Sequence, residues 1–337
     1  MISVALFNNK GGVGETALAY HLAWTFANLG YRTLAVDLDP QANLSSLFLD
    51  ADELEVLWPD GAHPDTLLGA VQPILDGVGD IAPARVVELD PPFGDLGLLV
   101  GDLGLSAFEA KLADAWPRVL DQDLAALRAT TAFYRTLERA GASFGAELAI
   151  IDVGPNLGAI NRAALLAADF VVVPLAPDLF SIQGLRNLGP TLSQWRAQWA
   201  QRLAAWPEGA LSQAQVAVPT APMRPAGYVV QQLALRRQGQ SPEAYERWSR
   251  RIPAVYRKAV LGQEGGSAPD VADDPECLAR VKHYRSLMLM AMEARKPVFA
   301  LRPADGAMGS HARAVQDCRK EFDALAQTLA RRVGVRR

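Results

Sequence analysis

The chain has 337 residues, of which 50% are hydrophobic and 21% are charged, and its formal net charge is −4. This composition supplies a packed core and excludes a wholly disordered chain, a collagen-like rod and a strongly basic nucleic-acid binder. No apolar run reaches the roughly 20 residues of a membrane-spanning helix, residues 1–10 lack a signal-peptide pattern, and two cysteines cannot form a disulfide framework. We therefore expect a cytoplasmic, globular protein.

The predicted elements begin with a βαβ unit. Residues 2–7 and 33–36 are short apolar runs typical of strands, and residues 16–29 between them carry apolar side chains at helical spacing. Further strands are predicted at 96–100, 148–151, 170–173 and 227–230, and helices at 106–116, 120–140, 159–167, 182–204, 278–294 and 311–333. Because the strands are almost continuously apolar, we predict an α/β fold with a doubly wound, mostly parallel sheet and helices on both faces.

Charge is unevenly distributed along what we predict to be one domain, residues 1–337. Between Asp50 and Asp123 there are 16 acids and three bases, whereas between Arg224 and Lys258 there are eight bases and two acids. Such segregation indicates either two faces with different partners or two solvated surfaces. We interpret residues 50–123 as an acidic insertion that carries a partner surface or keeps the chain soluble.

A glycine-rich sequence, Lys10-Gly11-Gly12-Val13-Gly14-Glu15-Thr16, follows the first predicted strand. Glycines at the end of a strand let backbone N–H groups turn toward an anion, and the N-terminus of the next helix adds partial positive charge. A threonine hydroxyl at this point suits Mg²⁺. An ordinary phosphate-binding loop has lysine where this chain has Glu15, so a simple tight turn is the alternative interpretation.

With two later motifs, this loop resembles the deviant Walker A box, KGG-x-x-K-[ST], of the ParA/MinD-type ATPases. Residues 37–45, DLDPQANLS, are similar to the family's D-x-D-P-Q-x-N box, and residues 150–155, IIDVGP, are similar to its Walker B strand and switch. Residues 169–174 and 180–185 match the strand and helix that follow, so the resemblance covers residues 1 to about 189. It implies a P-loop NTPase fold, with ATP or ADP and Mg²⁺ as cofactors.

The resemblance also implies roles for individual residues. The catalytic residues would be Lys10, which reaches the partner subunit's phosphates across an ATP-sandwich dimer, and Asp39, which positions the attacking water. Thr16 and Asp152 would hold Mg²⁺. The nucleotide would be bound by residues of the loop and of one later segment: Gly11, Gly12, Val13, Gly14, Glu15, Thr16, Pro177 and Asp178.

Three further residues of this region keep two interpretations each. Asp37 either acts in the site directly or orders it, by supporting other residues or by capping a helix. Gln231 and Gln232 either read the edge of the base or belong to a surface turn.

Glu15 departs from the family pattern because it places an anion where a lysine normally contacts the phosphates. At about 4 Å and an effective dielectric near 20, one such unit interaction is of order 4 kcal/mol. We therefore predict that the chain hydrolyses ATP very slowly or not at all. Glu15 is either a substitution in a true ATPase or a feature of a nucleotide-independent paralogue, and the presence of Lys10, Thr16, Asp39 and Asp152 favours the former.

The basic segment at about 224–260 is predicted to be helical from about residue 242 and to be kinked or split by Pro253. Such a cluster can neutralise phosphates without reading bases. The alternatives are a solvated helix face and a contact with a protein. Four aromatic residues in this region are expected to pack rather than to stack on bases, namely Tyr228, Tyr245, Trp248 and Tyr256. The candidate DNA-binding residues are Arg236, Arg237, Arg247, Arg250, Arg251, Arg257 and Lys258.

By resemblance, the chain is a ParA-like ATPase for plasmid or chromosome segregation, located in the cytoplasm on the nucleoid. Its expected partners are a second copy of itself when ATP is bound, non-specific DNA, and a ParB-like or cargo adaptor protein. The alternatives are a non-catalytic interaction module and a MinD-like membrane-associated ATPase. The membrane-associated alternative depends on the amphipathic C-terminal stretch. Its apolar residues could lie on a membrane, namely Phe322, Leu325, Leu329 and Val333. A closing helix packed on the sheet is favoured for that stretch, so a membrane partner is not expected.

Overall fold

The computed structural model describes residues 1–89, 94–232, 242–264, 269–284 and 286–335, and eight described strands form one sheet. The strands are β1 (Ile2–Leu6), β2 (Thr33–Asp37), β3 (Val87–Glu88), β4 (Leu96–Leu99), β5 (Leu148–Asp152), β6 (Phe170–Leu175), β7 (Arg224–Gln232) and β8 (Cys277–Lys282). Their order is β3–β4–β2–β5–β1–β6–β7–β8. The β3–β4 pair is antiparallel, and the other neighbouring strands are parallel.

Helices cover both faces of this sheet. They are α1 (Glu15–Asn28), α2 (Asn43–Phe48), α3 (Ala51–Leu57), α4 (Leu67–Leu75), α5 (Phe108–Arg118), α6 (Leu124–Thr130), α7 (Ala132–Phe144), α8 (Ala159–Leu166), α9 (Leu179–Ala204), α10 (Ala210–Gln213), α11 (Pro242–Ser249), α12 (Ile252–Ala259), α13 (Ser286–Ala294) and α14 (Ser310–Val333). Helices α1, α2, α3, α13 and α14 pack on one face, and α4 to α9 with α12 pack on the other.

The central strands are buried from both sides. In β5, Ala149 and Ile151 contact one helical layer, whereas Leu148 and Ile150 contact the other, and none of the four is exposed. A strand between two apolar layers has no polar face, which explains its uninterrupted apolar sequence. The prediction of a doubly wound, mostly parallel α/β sheet is confirmed.

The predicted helix at residues 278–294 is wrong in its first half, which forms the strand β8. A β-bulge causes the error: Tyr228 of β7 pairs with Cys277, but the next residue, Val229, pairs with Ala279. The extra residue turns Leu278 to the same core layer as Val281, three positions later. Two apolar residues three apart look helical in the sequence, although here they belong to a strand.

Two other predicted segments are divided in the structure. Residues 120–140 form α6 and α7, and α6 begins only after Asp123, whose side chain accepts a hydrogen bond from the N–H of Ala126 at 3.0 Å. The basic segment is split near Pro253, as predicted, because α11 ends at Ser249 and α12 begins at Ile252.

The acidic and C-terminal segments both contribute to the main core. The acidic stretch supplies β4, which pairs with β2, as well as helices α3, α4 and α5. In α14, Phe322, Leu325, Leu329 and Val333 are all buried, which confirms the closing helix favoured from the sequence. No helix in the described ranges is long and apolar enough to cross a membrane.

A buried histidine connects α1 to the segment that precedes α14. His21 is 3% exposed; its Nδ1 lies 2.7 Å from the carbonyl oxygen of Ala17, and its Nε2 accepts the N–H of Val298 at 3.1 Å. The ring stacks on Phe322 with the centroids 4.9 Å apart. Because Nε2 accepts a hydrogen bond, the ring is neutral with its proton on Nδ1. Burial lowers the pKa of His21 to about 4.

We predict that the free energy of unfolding of the native chain falls in acid relative to that of a His21→Gln variant. The unfolded chain protonates this histidine near its ordinary pKa of 6.5, whereas the folded chain does so only near 4. The stabilisation by neutral His21 is therefore present above pH 6.5 and is lost as the pH falls toward 4, a change of about 3 kcal/mol. Urea unfolding of both proteins at neutral and acidic pH measures this gap, and a gap that does not change with pH would contradict it.

A phosphate loop facing buried carboxylates

The loop between β1 and α1 has the backbone of an anion cradle. Gly12 and Gly14 adopt positive φ angles of 78° and 87°, which residues other than glycine rarely adopt. Gly14 occupies the N-cap position of α1 and has no side chain that could cap this helix end. The N–H groups of Gly14 and Glu15 interact with the Glu15 carboxylate, and the positive end of the helix dipole favours an anion here.

Two aspartates meet where neighbouring strands end beside this loop. Asp37 ends β2, Asp152 ends β5, and the two are register partners in the parallel ladder. Both are fully buried. One carboxylate oxygen of Asp37 accepts hydrogen bonds from the N–H and the hydroxyl of Ser45, each at 2.7 Å, which fixes the start of α2. This contact, which includes the N–H of the third residue of α2, has the form of the helix-capping role left open for Asp37.

Asp152 is poised for a cation. Neither of its oxygens has a hydrogen-bond partner within the described chain. Burial raises the pKa of Asp152 well above its usual range, the nearby charge of Asp37 adds to this, and the Thr16 side chain opposes it. A buried carboxylate without partners is costly unless it is neutralised, so its position beside Thr16 fits the predicted role of these two residues toward Mg²⁺.

Asp39 lies at the same edge of the sheet. Its Oδ1 accepts the N–H of Gln41 at 3.0 Å, and burial raises its pKa. The backbone of Gly154 passes so close that a Cβ atom there would lie 2.9 Å from Asp39 Oδ1. The carboxylate therefore sits against the switch segment that follows β5, where a group that positions water is expected.

The switch segment is held by residues that the sequence did not indicate. Glu109 on α5 accepts the N–H groups of Ala159 and Ile160 at 2.6 and 2.8 Å, and so caps α8 from 50 residues away. Asn161 of α8 donates to the carbonyls of Gly154 and Asn156. No local sequence signal identifies a cap supplied by a distant helix.

Glu15 is buried within the site instead of pointing into solvent. It is 8% exposed, and its Oε1 has no hydrogen-bond partner among the described residues. Burial raises the pKa of Glu15 to about 7; backbone N–H groups and Lys10 oppose this shift, and Asp39 adds to it. The loop therefore carries an acidic group whose charge acts on Asp39 and Asp152.

Lys10 forms an ion pair within its own subunit. Its Nζ contacts Asp178 and lies 5.8 Å from the centre of the Phe180 ring. Asp178 also accepts the N–H of Ser181 at 2.8 Å and thereby caps α9, and both Asp178 and Pro177 are buried. The structure thus places Asp178 in contact with Lys10, and Pro177 is its buried neighbour in the chain.

Two cavities flank the first turn of α1. The larger, of about 400 Å³, is lined by loop residues 12 and 14–16, by α1 and α2, and by Met288, Ala291 and Met292 of α13. The smaller, of about 170 Å³, is lined by Gln231 and by residues 281–284. Gln231 belongs to β7 and donates to the carbonyl of Gly14 at 3.0 Å, so it is not part of a surface turn. The sequence did not predict that residues 282–284 and α13 line these cavities, because nothing in their sequence indicates a ligand.

The basic segment is only partly a free charged surface. Arg236 and Arg237 lie outside the described residues. The half-buried Arg257 pairs with Asp274, a residue that also accepts the hydroxyl of Tyr228 at 2.8 Å. Tyr228 and Tyr256 are completely buried, which confirms that these two aromatic residues pack in the core. The exposed bases of the described part are Arg224, Arg247, Arg250, Arg251 and Lys258, of which the last four lie on or between α11 and α12.

Comparison with known proteins begins with a family model, that of the AAA domain family AAA_31, which matches residues 1–205. The chain belongs to this family. Among curated relatives, the Escherichia coli protein IncC is 31% identical over 60% of this chain and 48% of its own length. The chromosome-partitioning ATPase Soj of Thermus thermophilus is 32% identical over 59% of this chain and 65% of its own length. The matched regions thus span less than two thirds of either protein.

Solved structures share the fold of this AAA_31 member. Protein DIP2308 from Corynebacterium diphtheriae superposes with a TM-score of 0.71 and 23% identity, covering 99% of each chain. An ATP complex of a McdA variant from Cyanothece superposes with a TM-score of 0.60 and 15% identity, covering 100% of this chain and 98% of that one. Together with the curated relatives, these matches confirm the resemblance to ParA/MinD-type ATPases drawn from the motifs.

Among the described residues, no group of three or more His, Cys, Asp or Glu side chains is arranged to hold a metal ion. The carboxylates at the strand ends therefore do not form a metal cage by themselves. A cation held here needs oxygen atoms from another molecule, as is usual for Mg²⁺ at nucleotide sites.

We predict that Asp178→Ala lowers the free energy of unfolding by about 2 kcal/mol, because it removes both the α9 cap and the partner of Lys10. Asp178→Asn keeps an oxygen for the N–H of Ser181 but loses the charge, so about 1 kcal/mol is expected. Chemical denaturation of the three proteins measures the difference. Equal stability of the two variants would show that the cap contributes nothing.

Proposed function

We propose that this chain is a ParA-like nucleotide-dependent switch that partitions or positions plasmid, chromosomal or other cargo. The observation that carries the proposal is the glycine loop before α1 beside buried Asp152, whose two oxygens have no hydrogen-bond partner of ordinary geometry among the described residues. An anion cradle and an unpaired carboxylate at adjacent strand ends suit a phosphate chain with its metal ion. The curated relatives Soj and IncC, and the ATP complex of McdA, support this proposal.

In this proposal, the loop N–H groups bind the phosphates of ATP or ADP, and Thr16 with Asp152 holds Mg²⁺. The metal ion, when bound, neutralises charge on the phosphate oxygens. Asp39 accepts a hydrogen bond from the attacking water and orients it, and Gly154 keeps the switch backbone close to that carboxylate. Gln231 and residues 282–284 border the base.

Dimerisation through the nucleotide face is part of the proposal. Phe180 beside Lys10 is 70% exposed, an unusual setting for a large aromatic side chain next to a ligand site. A second copy that covers this face would bury Phe180, and Lys10 would exchange Asp178 for the partner's phosphates. An adaptor protein would then trigger hydrolysis and release.

Glu15 makes this chain a slow or inactive ATPase in the proposal. Its buried carboxylate takes the place of the ammonium group that would stabilise charge developing on the phosphates. The same observation favours a second candidate, a non-catalytic interaction module that retains the fold and binds its partner without nucleotide.

Non-specific DNA binding is proposed for the exposed bases of α11 and α12. The guanidinium groups of Arg247 and Arg251 lie on the Trp248 ring, each 4.9 Å from its centre, so the ring holds both charges near the same surface. Arg250 contacts Glu246 at 3.5 Å and contributes less net charge. A cluster of this kind gives sequence-independent, salt-sensitive binding.

We predict that Glu15→Lys raises ATP turnover by roughly 100-fold over the native chain, because it restores a cation that stabilises the transition state. Turnover is measured by phosphate release with DNA present. Glu15→Gln, which removes the charge without adding a cation, should recover only a small part of the increase.

The control for this experiment is Glu15→Lys combined with Asp152→Ala, which should abolish the gain if turnover occurs at this site. If Glu15→Lys is as inactive as the native chain, even with a candidate adaptor added, the proposed nucleotide-dependent function is wrong. The non-catalytic interaction module then becomes the better account.

We predict that replacing Arg247 and Arg251 by Gln weakens DNA binding about tenfold and lowers the slope of log affinity against log salt by about 2, because each arginine neutralises one phosphate. The binding is measured by fluorescence anisotropy with duplexes of unrelated sequence, in the Glu15→Lys background with ATP.

The matched control replaces two exposed bases of the acidic segment, Arg85 and Lys111, by Gln. It removes the same charge from another surface and should leave the affinity and the slope unchanged. Equal losses in both double variants would assign the effect to net charge and not to the α11–α12 surface.

A further inference from the structure

The acidic groups at the nucleotide site have more buried oxygens than the protein satisfies. Glu15 Oε1, Asp37 Oδ1 and both oxygens of Asp152 are buried without a hydrogen-bond partner in the described ranges. Asp37 and Asp152 are completely buried, and Glu15 is 8% exposed. Buried carboxylate oxygens without hydrogen bonds favour the binding of a cation, because a positive charge offsets the cost of burying their negative charge.

In the single described chain, with no second copy on the nucleotide face, the lysines near this site pair with acidic side chains. Lys10 pairs with Asp178, and Lys282, which lines the smaller cavity, pairs with Glu321 at 3.0 Å. A bound triphosphate would add about four negative charges, and one Mg²⁺ would offset only two of them. In relatives with lysine at position 15, the side chain supplies a further positive charge. Here the balance is worse by two charges, because a cation is lost and an anion is gained.

Divalent cations at nucleotide sites are commonly held by one or two carboxylates together with phosphate oxygens, and two metal ions can serve one phosphate chain. Glu15 lines the larger cavity beside Gly14 and Thr16, and its charge acts on both Asp39 and Asp152. Glu15 thus lies at the start of α1 beside the glycine loop, where nucleotide oxygens would complete a coordination sphere that the protein alone does not provide.

We propose that Glu15 recruits a second divalent cation, which binds between its carboxylate and the terminal phosphate oxygens and replaces the missing ammonium group. This inference rests on the proposed nucleotide-binding function and concerns how this chain's own loop achieves it. The chain is then a nucleotide binder that depends on two metal ions, whereas Glu15→Lys depends on one.

The test measures the affinity of the full chain for AMPPNP by calorimetry as free Mg²⁺ is raised at constant ionic strength and pH. Once AMPPNP already carries one Mg²⁺, a further tenfold rise in free Mg²⁺ should tighten binding by about tenfold in the native chain, because one more ion is taken up. The Glu15→Lys variant should show no such dependence. Glu15→Gln, which has the same shape and no charge, should also lose it.

Counting the ions gives a second readout that is independent of activity. With Mn²⁺ in place of Mg²⁺, electron paramagnetic resonance should detect two bound ions per bound AMPPNP in the native chain and one in Glu15→Lys. One ion in the native chain would overturn the inference and would indicate that a proton neutralises Glu15. Binding by Glu15→Lys but not by the native chain at any Mg²⁺ concentration would overturn it too.

The same measurements test nucleotide binding and the second cation separately. If neither the native chain nor Glu15→Lys binds AMPPNP, the proposed nucleotide function itself is wrong. If both bind with one metal ion each, the function stands and only the second cation is lost.

Discussion

The structure depends on one constraint, that parallel strands of a doubly wound sheet end at the same edge. Because β1, β5 and β2 are neighbours, the glycine loop after β1 and the aspartates at the ends of β5 and β2 meet without long insertions. Apolar helices on both faces leave this edge as the place where polar groups concentrate. The functional site is therefore a direct product of strand order.

Buried acidity is the electrostatic character of this edge. Desolvation raises the pKa of both Glu15 and Asp37 to about 7 and raises that of Asp152 as well, and the charges of Asp37 and Glu15 add to the shift at Asp152. A protein tolerates such a cluster when a ligand brings compensating charge. Glu15 increases that requirement, so the identity of the cations at the site becomes the central chemical question for this member of the AAA_31 family.

The surroundings of the site connect it to surfaces of opposite charge. Glu109 on α5, within the acidic stretch, caps α8 directly behind the switch segment. On the other side, Gln231 links β7 to the carbonyl of Gly14, and the basic helices α11 and α12 follow in the chain.

The sequence by itself determined the fold class and predicted the edge of the sheet at which the candidate site lies, since the glycine loop, Asp39 and Asp152 lie in short motifs that follow strands and need no distant information. It also indicated the closing helix, whose apolar residues repeat at helical spacing. Only the tertiary structure decided the β-bulge that makes residues 277–282 a strand, the pairing of Lys10 with Asp178, and the burial of Arg257 against Asp274. Such contacts join residues far apart in the chain, and a local pattern of residue types contains no distances between them.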